Sequence, residues 1–446
     1  MIFDLGIANC IILSRANGYR PFIGSVGVTD GKFAWVTDKN IQKSSCREYV
    51  DGTGKILMPG LINAHCHGDM TLARGFGDGL GLKDQNEKFA DTNWFYSLID
   101  DEDRKNSRLL TYIEALESGT TCMMENMYWS LGEDSIEIMK QAGIRGALAE
   151  DIRRNFSEPD NFIADADLER FSNTCKEAGM LPFIGGISEE DFEEQRIKRI
   201  REIAGKHGMP ITCHLAETTW REEIVQQKYD TTSIRYLASL DALGPDILGS
   251  HVVFADQDEI AILADTKTNV VNTPLCEMKI RDGIAPITAM VKRGVNVCLG
   301  TDGAMWNNSN DIFREMKGMA LLQSVMNGPG ALQAAQILDM ATYNGAAALG
   351  IAEQTGSIEE GKAADFILVN ADSSHMQPLS IGTCENVTSM IVYNAVGQDV
   401  TDVWVKGKGV VRHTEWFGGA EKKQDVIQKV REAYKKVEAF YGEELF

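Results

Sequence analysis

Hydrophobic and polar positions alternate in two textures along the middle of the chain. Short apolar runs set the first: ILMPGLINAH (56–65), GTTCMMENM (119–127), GIRGALAED (143–151), LPFIGGIS (181–188), PITCHLAE (210–217), ILGSHVVF (247–254), TNVVNTP (268–274) and VNVCLGTDG (295–303). Each has the length and bounding residues of a strand. Between them lie longer stretches with apolar residues three and four apart, such as DRKNSRLLTYIEALES (103–118) and DQDEIAILADT (256–266). That spacing is the mark of a helix with one buried face. Eight strands alternating with helices predict an α/β fold, a TIM-type (β/α)8 barrel with a parallel sheet.

The flanks have a different texture. SVGVTDGKFAWVTD near the start, and ADFILVN and VTDVWVKGKGVV near the end, read as short strands separated by turns. The expectation is a discontinuous β-domain, a small β-sandwich built from residues 1–57 and 362–415, beside a barrel over 58–361. In the last segment, 416–446, Val426, Val430, Tyr434, Val437 and Phe440 recur at helical spacing and predict a helix packed on the body.

Composition narrows the function classes. The 446 residues carry 44 basic against 65 acidic side chains, a net charge of −21. Nucleic acid or an anionic membrane as main partner needs basic surface, so neither is expected. Nine cysteines without a CxxC pair read as reduced thiols in a cytoplasm. The N-terminal stretch has no basic region ahead of an apolar one, so no secretory signal is expected, and no apolar run reaches membrane-span length. The expected partner is a small molecule, with a homo-oligomer left open.

Barrels of this kind place their chemistry at the C-terminal ends of the strands. The first predicted strand ends in His65 and His67, the fifth in His214 with Glu217, the sixth in His251 and the eighth in Asp302. Histidines at i and i+2 on a strand point the same way and can share one ion. With His214 and Asp302 they make three nitrogens and an oxygen, a set that suits Zn2+ first and that Fe2+ or Mn2+ tolerates. A water on that ion would be acidified. Glu217 is then placed to move a proton and His251 to hydrogen-bond the water or a developing oxyanion. His207, His375 and His413 fall away from strand ends and read as structural. Trp94, in the long segment after the first strand, is positioned to stack on a planar ring.

These stretches together resemble the amidohydrolase superfamily. The motifs that carry the likeness are PGLINAHCH (59–67), CHLAET (213–218), GSHVVF (249–254), LGTDGAMWNNSND (299–311), TYNGAAALG (342–350) and TGSIEEGKAADFILV (355–369). MTLARG (70–75) and DGIAP (282–286) point to the branch of methylthioadenosine/S-adenosylhomocysteine deaminases and chlorohydrolases. The resemblance implies His65, His67, His214 and Asp302 as metal ligands. It implies Glu217 as the proton shuttle to a ring nitrogen, His251 as the group that polarises the water, and Asp302 as acceptor of the water's proton. The implied reaction is hydrolytic deamination of an amino-substituted N-heterocycle of the purine, nucleoside, pterin or triazine type. No lysine stands in LPFIGGIS, where binuclear relatives carry one, which favours one metal; Glu125 and Glu150 are the other residues able to bridge.

Departures from the family pattern blur the substrate. Ile187 stands where a histidine contacts the purine, Asn272 replaces the histidine of an HNP motif, and Glu150 occupies a position where relatives carry arginine, with Arg153 and Arg154 following. Glu102 matches a glutamate that holds ribose hydroxyls in nucleoside deaminases. Glu150 and Glu277, if they line the pocket, predict an amino-rich or cationic substrate in place of S-adenosylhomocysteine. The alternative within hydrolases is removal of chloride or an alkylamine from a triazine, or opening of a cyclic amide.

Overall fold

The computed structural model describes residues 2–90, 98–127, 132–151 and 161–441. Among these residues the strands form two sheets. The barrel sheet runs through β1 (Leu61–Cys66), β2 (Thr120–Asn126), β3 (Arg145–Asp151), β4 (Leu181–Ile187), β5 (Ile211–Leu215), β6 (Ile247–His251), β7 (Asn269–Asn272) and β8 (Val297–Leu299), each beside the next. All eight predicted strands are present. The pairings are parallel, with Ala147–Asp151 against Leu181–Gly185 and Ile211–Leu215 against Ile247–His251. The burial is nearly continuous along each strand, as expected for a sheet covered on both faces. The ring closes between β8 and β1, where the N–H groups of Thr301 and Asp302 donate to the His65 carbonyl at 3.1 and 3.0 Å. Gly300 allows this approach, since a Cβ there would fall 2.8 Å from His65 Cβ and from its carbonyl oxygen.

The first predicted strand divides in two. Lys55–Pro59 joins the other sheet, antiparallel to Phe366–Asn370, while Leu61–Cys66 enters the barrel. Gly60 stands between them, with no room for a side chain beside Thr121. Apolar periodicity cannot show this break, because both halves are buried.

The second sheet is mixed and has nine strands drawn from both ends of the chain. Phe3–Ile12 is its organising strand. It pairs antiparallel with Phe22–Thr29 on one side; on the other, its first half pairs with Cys46–Asp51 and its second half with Lys55–Pro59. Leu5, Ile7, Ile12, Val26, Val28, Phe33, Phe366, Leu368 and Trp404 form its core, with Trp404 stacked on Phe366 at 4.6 Å between ring centres.

Two compact units emerge from the chain's contacts. One comprises 1–63, 113–122 and 311–423; the other comprises 64–112, 123–310 and 424–446. The second contains every residue expected to bind metal. The C-terminal helix spans Ala420–Tyr441, and Val430, Ala433 and Val437 lie buried in one cluster with Met70, Phe76, Ile99 and Trp306. Phe440, expected on the packed face, is exposed near the end of that helix. No helix among the described residues is long and apolar enough to cross a membrane.

Candidate metal centre and active site

Four imidazoles gather at the C-terminal ends of β1, β5 and β6. Their ring centres lie 4.9 Å apart for His65 and His67, 5.2 Å for His65 and His214, 5.4 Å for His65 and His251, and 5.6 Å for His67 and His214. All four are buried, as are Asp302 and Glu217. A different neighbour holds the Nδ1 of each ring. His67 Nδ1 meets the Asn126 carbonyl at 2.7 Å, His65 Nδ1 the Ser250 hydroxyl at 3.0 Å, His214 Nδ1 the Ser188 hydroxyl at 3.4 Å and His251 Nδ1 the Thr273 hydroxyl at 3.0 Å. A carbonyl only accepts, so His67 Nδ1 carries the proton and its Nε2 keeps the lone pair.

The Nε2 atoms of His65 and His67 each stand 3.3 Å from Asp302 Oδ1. Ligands about 2.0–2.1 Å from a tetrahedral ion are themselves roughly 3.3–3.4 Å apart, so this spacing fits a bound ion. One ligand atom each from His65, His67 and His214 lies within 4.8 Å of the others, and so does one each from His65, His251 and Asp302. Asp302 Oδ1 is buried and accepts no hydrogen bond of normal geometry. Its other oxygen, Oδ2, takes the Cys276 S–H at 2.9 Å.

The electrostatics prepare these donors. Burial pulls the His67 imidazolium down to about 3, against the opposing charge of Asp302. Burial, reinforced by His65, likewise lowers His214 well below its usual range. Both rings are therefore neutral near pH 7 and can donate lone pairs without losing a proton. Burial pushes Asp302 up, but the imidazoles around it, His65 first, outweigh that and hold the carboxyl below its usual range.

His251 is different. Its Nε2 is 3.6 Å from Glu217 Oε1 and its Nδ1 3.6 Å from Glu277 Oε1. Burial disfavours its charge, but Glu217 and then Glu277 reverse that and raise it to about 10. It is a cationic donor between two carboxylates. Glu217 is positioned in turn by Arg221, four residues on in the helix Thr219–Tyr229, whose guanidinium donates to Glu217 Oε2. Arg221 also lies 3.1 Å from Glu190, and the Glu217 N–H donates to Glu189 at 3.2 Å. With Oε2 occupied, Oε1 is the oxygen that faces His251.

Four residues at this site have left-handed backbone. Ala216, His251, Val252 and Asp302 have φ of 49, 73, 51 and 60°. Such values are uncommon for residues with a side chain, most of all for β-branched valine.

The other expected residues divide. Asn272 and Glu277 lie beside His251: Asn272 Nδ2 donates to both Glu277 oxygens, at 2.7 and 2.9 Å, and to the His251 carbonyl at 3.2 Å. Glu277 thus already accepts from the protein. Glu150 does not line the barrel interior. A side chain at Gly146, on the same strand face, would run into Met139 of the flanking helix Glu133–Ala142. Two-residue alternation then turns Glu150 outward too, where its charge adds to the burial that pushes Cys175 up to about 12. The sequence expectation for Glu150 is corrected, and Asp151 is the carboxylate on the inner face. Glu102 is exposed in the first turn of the helix Asp101–Glu117, bonded to Asn106 at 3.2 Å. Trp94, Arg153 and Arg154 lie outside the described residues.

Glu125, considered as a bridge between two ions, is engaged elsewhere. It accepts from the Gly68 N–H at 2.9 Å and the Tyr112 hydroxyl at 3.1 Å, next to the buried Arg108–Asp69 pair. Arg221, Ser250, Thr273, Cys276 and Asp282 were not singled out from the sequence. Only Arg221 had a legible signal, its i+4 spacing from Glu217.

Residues 56–410 match the amidohydrolase family, and the chain belongs to it. A 5'-deoxyadenosine deaminase of Methanosarcina acetivorans is 34% identical over 92% of this chain and 92% of its own length. A 5-methylthioadenosine/S-adenosylhomocysteine deaminase of Syntrophomonas wolfei is 32% identical over 87% and 88%. Among solved structures, a zinc-bound adenosine deaminase from Xanthomonas campestris superposes with a TM-score of 0.89 at 26% identity, covering 98% of this chain and 99% of that one. An atrazine chlorohydrolase variant from Arthrobacter aurescens, with zinc and atraton, gives 0.85 at 18%, covering 96% and 100%, a likeness of fold alone. The protein is a hydrolase of carbon–nitrogen bonds other than peptide bonds, a metal-dependent hydrolytic deaminase of an amino-substituted N-heterocycle.

Proposed function

We propose that the substrate is an adenosine-type nucleoside and that the metal is a single zinc ion held by His65, His67, His214 and Asp302. The observation that carries the reading is Glu217 Oε1 and His251 Nε2 at 3.6 Å, beside this donor set, in a chain 34% identical to a 5'-deoxyadenosine deaminase. Zinc, when bound, supplies an acidified water near neutral pH. Asp302, oriented by the Cys276 S–H, would take up the proton that the attacking water gives up. His251, held cationic, donates a hydrogen bond where negative charge develops on the attacking oxygen. Glu217, fixed by Arg221, carries a proton to the ring nitrogen beside the reacting carbon; the amino group departs as ammonia with the proton Asp302 took up, and the remaining hydroxyl proton returns to Glu217 as the carbonyl forms.

The test is ammonia release by the zinc-loaded protein from 5'-deoxyadenosine, adenosine and 5'-methylthioadenosine, with Glu217→Gln alongside. Release that is lost in the variant supports the reading. Release of chloride or alkylamine from triazines, with none of ammonia from nucleosides, would replace it with the alternative.

A further inference from the structure

One buried carboxyl near this centre leaves an oxygen without a hydrogen bond. Asp282 follows the helix Pro274–Lys279; it is 8% exposed, and its Oδ2 makes no hydrogen bond. Its N–H donates to the Glu277 carbonyl at 2.9 Å. Gly283, at φ 143°, then presses the loop against the segment beyond β6, where a Cβ would fall 2.7 Å from Val253 Cγ1. The largest charges that act on Asp282 are Glu217 beyond β5, His251 at the end of β6, Glu277 on the preceding helix and Asp302 beyond β8. Three of those four groups are carboxylates.

A buried acid among like charges keeps its proton. Burial first, then Glu217, push Asp282 well above the usual carboxylate range, while His251 only partly opposes them. A buried polar group left unsatisfied is costly. An acceptor that sits beside Glu217 and His251 during turnover would satisfy it. Glu277 does not fill that role; its carboxylate accepts from Asn272 and Thr273 and makes no hydrogen bond to Asp282 Oδ2.

We propose that Asp282 is a specificity-determining, substrate-binding residue whose carboxyl O–H donates to a second ring nitrogen of the heterocycle, distinct from the one served by Glu217. The proposal rests on the nucleoside reading above and deepens it. It selects heterocycles with a lone pair at that second position, as purines have, and disfavours those with C–H or N–H there. It also reverses the sequence expectation of a cationic substrate, because a neutral acid seeks an acceptor.

The experiment compares wild type, Asp282→Asn and Asp282→Leu, zinc-loaded, on 5'-deoxyadenosine and its 3-deaza and 7-deaza analogues. Each analogue deletes one candidate acceptor. Wild type is expected to disfavour one analogue by about tenfold to a hundredfold in kcat/KM. Asp282→Leu should lose about the same factor on the parent, mainly through KM, and treat parent and analogue alike. Asp282→Asn keeps an N–H donor and should retain most of the discrimination. An infrared difference spectrum between wild type and Asp282→Asn at pH 7 should show a protonated carboxyl band that shifts when nucleoside binds. Zinc content and Tm verify that the variants fold. Ammonia release without discrimination in wild type, an equal loss on all three probes in Asp282→Leu, or no such band would overturn the proposal while leaving the deaminase reading intact. No ammonia from any probe in wild type would overturn both.

Discussion

The nine-stranded sheet and the C-terminal ends of the barrel strands are built from similar residues under opposite rules. In the sheet, positive φ falls singly, at turns such as Asp30 and Lys406, each before a glycine that closes a hairpin, and at Asn9, where the register of the strand Phe3–Ile12 shifts. Its interior is apolar and close-packed, with Trp404 fully buried against Phe366. At the barrel ends, positive φ falls on His251, Val252 and Asp302. Buried carboxylates and imidazoles crowd together, and several have shifted affinities for protons. One region minimises local conflict and the other retains it. The sheet has such positions singly, at Asn9, Ser25 and Thr29; the lesson is that strain and unpaired polarity clustered together mark where ligand interactions are to be made, with the cost met by the scaffold.

Perturbing each region separately tests that contrast. Glu217→Gln should lower kcat by about 10²–10⁴-fold, with zinc content unchanged. A variant that stays active would remove Glu217 from the chemistry. Trp404→Ala should do the reverse, costing about 3–5 kcal/mol in denaturant unfolding while the folded fraction keeps its kcat; a large change in kcat without loss of stability would refute the division.

A pH effect comes next. Burial raises Glu189 from 4.5 to about 7, so in this window the folded protein binds more protons than the unfolded chain. Its contribution is fully present below about pH 4.5 and is lost as pH rises toward 7. The slope is at most about 1.4 kcal/mol per pH unit, or roughly 3 kcal/mol over the window. Chemical denaturation across that range should show this fall in wild type and a flatter profile in Glu189→Gln. Equal slopes would mean the carboxyl is not perturbed.

The smallest expected change concerns the support of a ligand. Ser250→Ala removes the hydroxyl bonded to His65 Nδ1 and should weaken zinc binding by about tenfold to a hundredfold. Competition with a chelator measures it; unchanged affinity would show that Ser250 does not orient the ring.

Legibility followed the same division. His65, His67, His214, Glu217, His251 and Asp302 were readable because strand ends of a barrel open on one face, and because i, i+2 spacing fixes direction. Glu150 was misplaced by one position of a strand, which turns a side chain from interior to exterior. The split of residues 56–65 into two sheets was invisible, since both halves are apolar. Ser250, Thr273, Cys276 and Asp282 act on residues of other elements, or on groups their own segment does not reveal, so no local pattern marks them.

By itself, then, the sequence determined the barrel, the two-ended β-sheet and which imidazoles and carboxylates stand at the strand ends, because periodicity and spacing encode direction along one element. Only the tertiary structure decided which nitrogen of His67 keeps its lone pair, which oxygen of Glu217 faces His251, and that Asp282 lies buried among carboxylates. Those properties arise from distances between elements and from exclusion of water, neither of which is written along the chain.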